Sequence, residues 1–250
     1  QMLTRLYKIL GEGLLDHADM LGAGRYEEHV EFIEEYFVGC EVQYGLQNPE
    51  VQAAAEQLAM TTNIFAIKLL LSGKYQVSLK LFKKAELLTD PHKYRYRRRG
   101  ELRAWTFANI SYYYYKRCKF SAALQYIQKA AKVHHATARL SSGSGAAEQR
   151  NYGVIMSHMA TIYSKLGRHD YSIDYARRAL ELVAAASGKP EDDPAAAVRY
   201  HNIAVEHVYL FNYKDAVGVE VRAAKLAQSL DASHPWRQQM DTAKDVSHAL

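Results

Sequence analysis

A short turn between two amphipathic stretches recurs along this 250-residue chain, and its spacing constrains the fold more than any other feature. The residue just after each turn is Tyr26, Tyr75, Phe120, His169 or Tyr213, at separations of 49, 45, 49 and 44 residues. Three residues further on stand His29, Ser78, Ala123, Ser172 and Ala216; ten further on stand Tyr36, Ala85, Ala130, Ala179 and Ala223. The last four units are therefore small at both places, which share one helical face. In the stretches before the turns the same units carry Phe65-Ala66, Ile110-Ser111, Met159-Ala160 and Ile203-Ala204, each a large residue and then a small one. Small residues let two helices approach closely. A two-helix hairpin cannot bury its own apolar surface, so it needs similar neighbours, and a fixed recurrence predicts an array.

The rest of the chain agrees with an all-α reading. Only 5 prolines and 14 glycines interrupt it, and neither β-branched runs nor alternating polar and apolar stretches predict strands. Met2–Leu21 and Arg25–Tyr44 read as a first hairpin, broken at Gly22-Ala23-Gly24. Val51–Leu71 with Lys74–Thr89, Tyr94–Lys116 with Lys119–Leu140, the stretch around Met156–Leu182, and Ala195–Leu210 with Tyr213–Leu230 read as the next four. Pro49 fits the first turn of a helix. Ser141–Gly145 and Ser187–Pro194 are turn-rich connectors. Ser233 as N-cap and Pro235 in the first turn predict a last, more polar helix through Leu250. Because residue 1 is Gln, the sequence is read as a fragment of a longer protein.

The units resemble the tetratricopeptide repeat. Tyr163, Gly167, Ala179 and Leu182 match its pattern residue by residue, and Tyr114, Ala123 and Ala130 do so in the unit before. Spacings above the usual length of about 34 residues make them similar to the long repeats of kinesin light chains and spindle-orientation adaptors. The resemblance implies a single right-handed α-solenoid of about five antiparallel hairpins. These are a degenerate one over 2–44, repeat-like ones over 49–89, 94–140, 147–187 and 195–230, and a capping helix over 233–250. His29 and Tyr36 depart from the small residues of the pattern, and Glu220 takes a place that is usually aromatic. By the same resemblance the first helix of each hairpin lines a concave groove. Tyr114 is then expected inside its hairpin and Tyr113 against a neighbour.

Catalytic and metal-binding motifs are missing. Gly11-Glu12-Gly13 and Gly22-Ala23-Gly24 lack the Lys-Ser/Thr of a P-loop. No His-Glu-x-x-His or Cys-x-x-Cys is present, and His134 and His135 point about 100° apart on a helix. Neither an enzyme nor a cofactor is expected, and no run of membrane-spanning length occurs. Cys40 and Cys118 are expected to be free thiols in a reducing compartment. Glu27 to Glu35 read as a solvated face.

What remains points to binding. The net charge is +5, concentrated in the run Lys93, Arg95, Arg97, Arg98, Arg99 and Arg103 near an expected helix start, where the macrodipole disfavours cations. That placement suggests an acidic ligand. The expected partner-binding set is Trp105, Tyr112, Tyr115 and Tyr209 for apolar contact, with Arg97, Arg98, Arg99, Lys116, Lys165 and His201 for charge. The expected function is a non-enzymatic scaffold or adaptor holding a peptide or helix of a partner protein, in a cytoplasmic setting that is cytoskeletal, motor-linked or ciliary by resemblance. The alternative is RNA binding, with Tyr94 and Tyr96 interleaving the arginines as stacking platforms.

Overall fold

The computed structural model describes residues 26–140, 145–187 and 194–228. Among them are nine α-helices and no strand: α1 Tyr26–Tyr44, α2 Pro49–Leu71, α3 Tyr75–Leu88, α4 Arg99–Lys116, α5 Phe120–Leu140, α6 Ala146–Lys165, α7 His169–Ser187, α8 Pro194–Tyr209 and α9 Tyr213–Gln228. The helices expected over 2–21 and 233–250 lie outside the described residues. The chain divides into two compact units between Gly143 and Ser144. In the first, α2 packs on α1 and α3, α4 packs on α5, and α4 also meets α2 and α3. In the second, α6 pairs with α7, α8 with α9, and α7 meets α8.

The small residues seal the hairpins as their spacing predicts. Ala66, Ser78, Ala85, Ala123, Ala130, Ala179 and Ala223 are wholly buried, and Phe82, Ile110, Ile127, Ile162 and Ile203 fill the spaces beside them. In three repeats a hydroxyl also ties the paired helices together. Ser78 Oγ donates to the Ala66 carbonyl at 2.8 Å, Ser111 Oγ to the Ala123 carbonyl at 2.7 Å, and Ser172 Oγ to the Ala160 carbonyl at 3.0 Å. The fourth repeat has Ala204 and Ala216 at these places.

All four hairpins turn the same way. Gly73, Cys118, Gly167 and Phe211 adopt φ of 80°, 56°, 69° and 59°. The next amide reaches back to a carbonyl five residues earlier in every case: Lys74 to Leu69, Lys119 to Tyr114, Arg168 to Tyr163 and Asn212 to His207. This is the Schellman closure, which favours glycine at the left-handed residue. Cys118 and Phe211 sit there with a side chain and carry its strain. Cys118→Gly is therefore expected to stabilise the protein by about 0.5–1 kcal/mol, after allowance for the looser unfolded chain. Urea unfolding checks this, and an unchanged or lower midpoint refutes it.

Successive repeats are joined by a recurring polar contact. Asn63 of α2 donates from Nδ2 to Thr106 Oγ1 of α4 at 2.9 Å and accepts from Asn109 Nδ2 at 3.0 Å. In the second unit Arg199 Nε of α8 donates to Ser157 Oγ of α6 at 3.1 Å. Asn63 and Ser157 each lie two residues before the large–small pair of their helix, and Thr106 and Arg199 each lie four before it. The same register thus carries the contact in both units.

One helix begins later than its pattern suggests. A helix was expected from Tyr94, but α4 starts at Arg99. Tyr94 and Tyr96 are both buried while Lys93, Arg95 and Arg97 are exposed. Residues two apart do not share a helix face, so this alternation belongs to a connector rather than a helix.

Candidate functional site

The connector between α3 and α4 is held from inside. The Tyr94 and Tyr96 rings lie 6.3 Å apart, and Tyr94 lies 6.5 Å from Phe37 of α1. The Tyr96 hydroxyl donates to the Leu88 carbonyl at 3.0 Å. The Arg95 amide donates to Gln52 Oε1 at 2.7 Å, while Gln52 Nε2 donates to the Leu46 carbonyl at 2.6 Å. Burial pushes both tyrosine hydroxyls above their usual range, so both stay neutral.

The six cations of the basic run divide into two groups. Arg98 forks onto Glu101 at 3.0 and 2.9 Å. Arg103 donates to the Thr89 carbonyl at 3.0 Å and to the Glu86 carbonyl at 3.3 Å, closing the end of α3, with its guanidinium 4.9 Å over Phe107. Desolvation lowers the Arg103 pKa, and the charge persists because Asp90 and Glu86 act against it. These two arginines are structural. Lys93, Arg95 and Arg97 face water and Arg99 is half-buried.

Within the first unit the expected binding residues do not come together in one place. Arg99 and Lys116 occupy opposite ends of α4, about 25 Å apart at the helical rise. Between them Trp105 is half-buried against the α1–α2 core, and its Nε1 is buried with no hydrogen-bond partner among the described residues. Tyr112 is only 4% exposed, so it presents little surface to a ligand. Tyr115 is half-buried with its ring 5.7 Å from Phe120, and Lys116 is exposed. Tyr113 meets Tyr75 of the previous repeat at 6.4 Å and Tyr114 stacks on Tyr126 of its own hairpin at 5.5 Å, as expected of both.

Lys165, His201 and Tyr209 belong to the second unit. Lys165 is exposed at the end of α6. His201 Nδ1 lies 3.0 Å from the Glu220 carboxylate, and that hydrogen bond raises the imidazole pKa. Glu220 thus has a partner at the place the repeat pattern usually gives to an aromatic residue. Tyr209 is 60% exposed and stacks on His169 at 4.6 Å, while His169 Nδ1 donates to the buried Glu206 at 2.6 Å. His169 and Glu206 lie 37 residues apart, and nothing in the local spacing links them.

A charge cluster that local motifs do not group is visible in three dimensions. The Arg117 guanidinium lies 5.0 Å over Tyr75, so the α4–α5 turn touches the start of α3. Lys74, Lys116, Arg117 and Lys119 are all exposed there. The sequence signal is a shortage of acids: from residue 57 to 147 there are seventeen Lys and Arg against three Asp and Glu, a net of +14.

Among the described residues, no group of three or more His, Cys, Asp or Glu could hold a metal ion, and no helix is long and apolar enough to cross a membrane. Cys40 is a buried free thiol and Cys118 an exposed one. No family model matches the sequence and no curated protein matches it. Solved structures do. BtubC (BKLC) from P. vanneervenii superposes with a TM-score of 0.61 at 15% identity, over 83% of this chain and 76% of that one. A putative kinesin light chain with nearly identical TPR-like repeats from Podosopora anserina superposes with a TM-score of 0.51 at 14% identity, over 90% of this chain and 96% of that one. The fold is therefore that of TPR-like helical-repeat proteins.

Proposed function

We propose that this protein is a non-enzymatic binding scaffold that takes an acidic segment of a partner protein on the connector between α3 and α4. The TPR-like fold supports a protein-binding role. The observation that carries the finer reading is the outward row Lys93, Arg95 and Arg97 on a backbone pinned by two buried tyrosines. A cation row already fixed in place loses little freedom when an anionic chain settles on it. Trp105, nearly two turns into α4, extends the contact to a longer partner. The likeness to a putative kinesin light chain supports a cytoskeletal or motor-linked cytoplasmic setting, the ciliary one included. The buried rings of Tyr94 and Tyr96 weigh against RNA binding, since they leave no stacking platform beside the arginines.

Arg95→Glu with Arg97→Glu is the discriminating variant, because it spares the Arg98–Glu101 and Arg103 contacts. Binding of a labelled extended Glu-rich peptide, read by fluorescence anisotropy, is expected to weaken at least tenfold, an order of magnitude typical of charge reversal at a rim. Circular dichroism should stay unchanged. Equal affinity for the variant and the parent protein overturns the proposal.

A further inference from the structure

Unit one carries a second basic surface at the other end of α4. It is built from two turns that lie more than forty residues apart in sequence. Lys74 follows the α2–α3 turn, and Lys116, Arg117 and Lys119 surround the α4–α5 turn. The Arg117–Tyr75 contact at 5.0 Å and the Tyr75–Tyr113 contact at 6.4 Å bring the two turns side by side. All four cations are exposed, and none of them forms an ion pair among the described residues. No acidic residue stands in the first turn of α3 or α5, whereas Asp170 and Asp215 do in α7 and α9. The charge here thus meets no acidic partner, and Lys74 and Lys119 sit before helix N-termini, where the macrodipole disfavours cations, while Lys116 and Arg117 sit at the C-terminal end of α4, which favours them.

We infer that this turn edge docks an acidic amphipathic helix of a partner protein, separately from the connector surface. Three features select that partner. First, the aromatic rings nearby are engaged within the fold, Tyr75 on Tyr113 and Tyr115 on Phe120, so the edge offers no free ring for base stacking. Second, Leu71 and Val77 flank the cations and are each 46% exposed, which asks for apolar groups beside the acids. Third, Lys74 and Lys119 hold the same place in neighbouring repeats, whose helices α3 and α5 are tied by the hydrogen bond from Lys83 Nζ to the Tyr126 hydroxyl at 2.6 Å, and one helix diameter is about 10 Å. Acidic residues seven apart on a helix repeat at about 10.5 Å along one face. On an extended chain a step of about 10 Å is three residues, which places the side chains on opposite faces. The two basic surfaces stand at opposite ends of α4, so one unit can hold two acidic segments at once and bridge them.

The test titrates the full chain into a labelled, helix-forming synthetic peptide of about 20 residues, with glutamates at seven-residue spacing beside a leucine stripe. Lys74→Glu with Lys119→Glu is expected to weaken binding at least tenfold. Arg95→Glu with Arg97→Glu is titrated beside it: a loss there with none in the lysine variant puts the peptide on the connector and overturns this inference, whereas failure of the connector reading alone leaves the lysine effect in place. Both lysines are exposed, and an acid at a helix start is favourable, so the variant should fold, with circular dichroism as the check. Equal peptide affinity in the lysine variant overturns the inference. So does tighter binding of polyuridine, or of phosphatidylserine vesicles, than of the peptide. So does self-association in sedimentation that the same substitutions abolish.

Discussion

Lowering the pH from 6.5 is expected to destabilise the second unit by on the order of 1 kcal/mol for each pH unit, chiefly through one buried side chain. His158 of α6 is 1% exposed, and burial lowers its pKa from the ordinary 6.5 to about 3. The sign follows from where the proton binds. Below pH 6.5 the unfolded chain takes up a proton that the folded chain refuses, so acid favours unfolding. The stabilisation is complete above pH 6.5 and is lost as the pH falls toward 3. His201 works in the opposite direction. Its bond to Glu220 raises its pKa, so it favours folding below 6.5, and its half-exposed position keeps that contribution small. His158→Gln removes the titration. Urea midpoints at pH 7 and pH 5 should then converge relative to those of the parent protein. An unchanged pH dependence in the variant would place the acid sensitivity elsewhere.

Asn63→Ala is expected to cost about 2–3 kcal/mol in the first unit, the price of leaving buried polar groups unsatisfied and a small void behind. Asn63 is 1% exposed and joins three groups: the Ala59 carbonyl, Thr106 Oγ1 and Asn109 Nδ2. Removing it strips Asn109 of its acceptor on another helix. Asn109→Ala loses only one of these bonds and should cost about half as much. The double variant should cost less than the sum, because both changes remove the same bond. Chemical denaturation of the three variants gives the coupling directly. Additive losses would show that the two asparagines act independently.

Much of the architecture is legible in the sequence because helical hairpins depend on local spacing. The small residues of each unit mark the helix seam, and the residue after each turn lies at or within one position of an observed helix start. The exception at Tyr94 has a clear cause. Tyrosine and arginine both tolerate helices, and the deciding signal was an alternation only five residues long. The binding surface was harder to read. The charge of the basic run is explicit, and so is the Arg98–Glu101 pair at helical spacing. The Arg103 contacts go to backbone carbonyls, which no residue type announces. Tyr112 is enclosed by packing, which spacing along its own helix does not reveal. The Lys74–Arg117 edge joins turns from two repeats and depends on how those repeats stack.

The serine that crosses three of the four hairpins changes sides. It is on the second helix at Ser78 and Ser172, and on the first at Ser111. Either helix can supply the donor, since the other supplies a carbonyl that every residue possesses. Selection at these two places therefore acts jointly. A serine can migrate from one helix to its partner through an intermediate carrying both, without the link ever being lost. Across diverged copies of such a repeat the two positions should covary wherever the link is kept, and both turn to alanine where it is lost, as at Ala204 and Ala216.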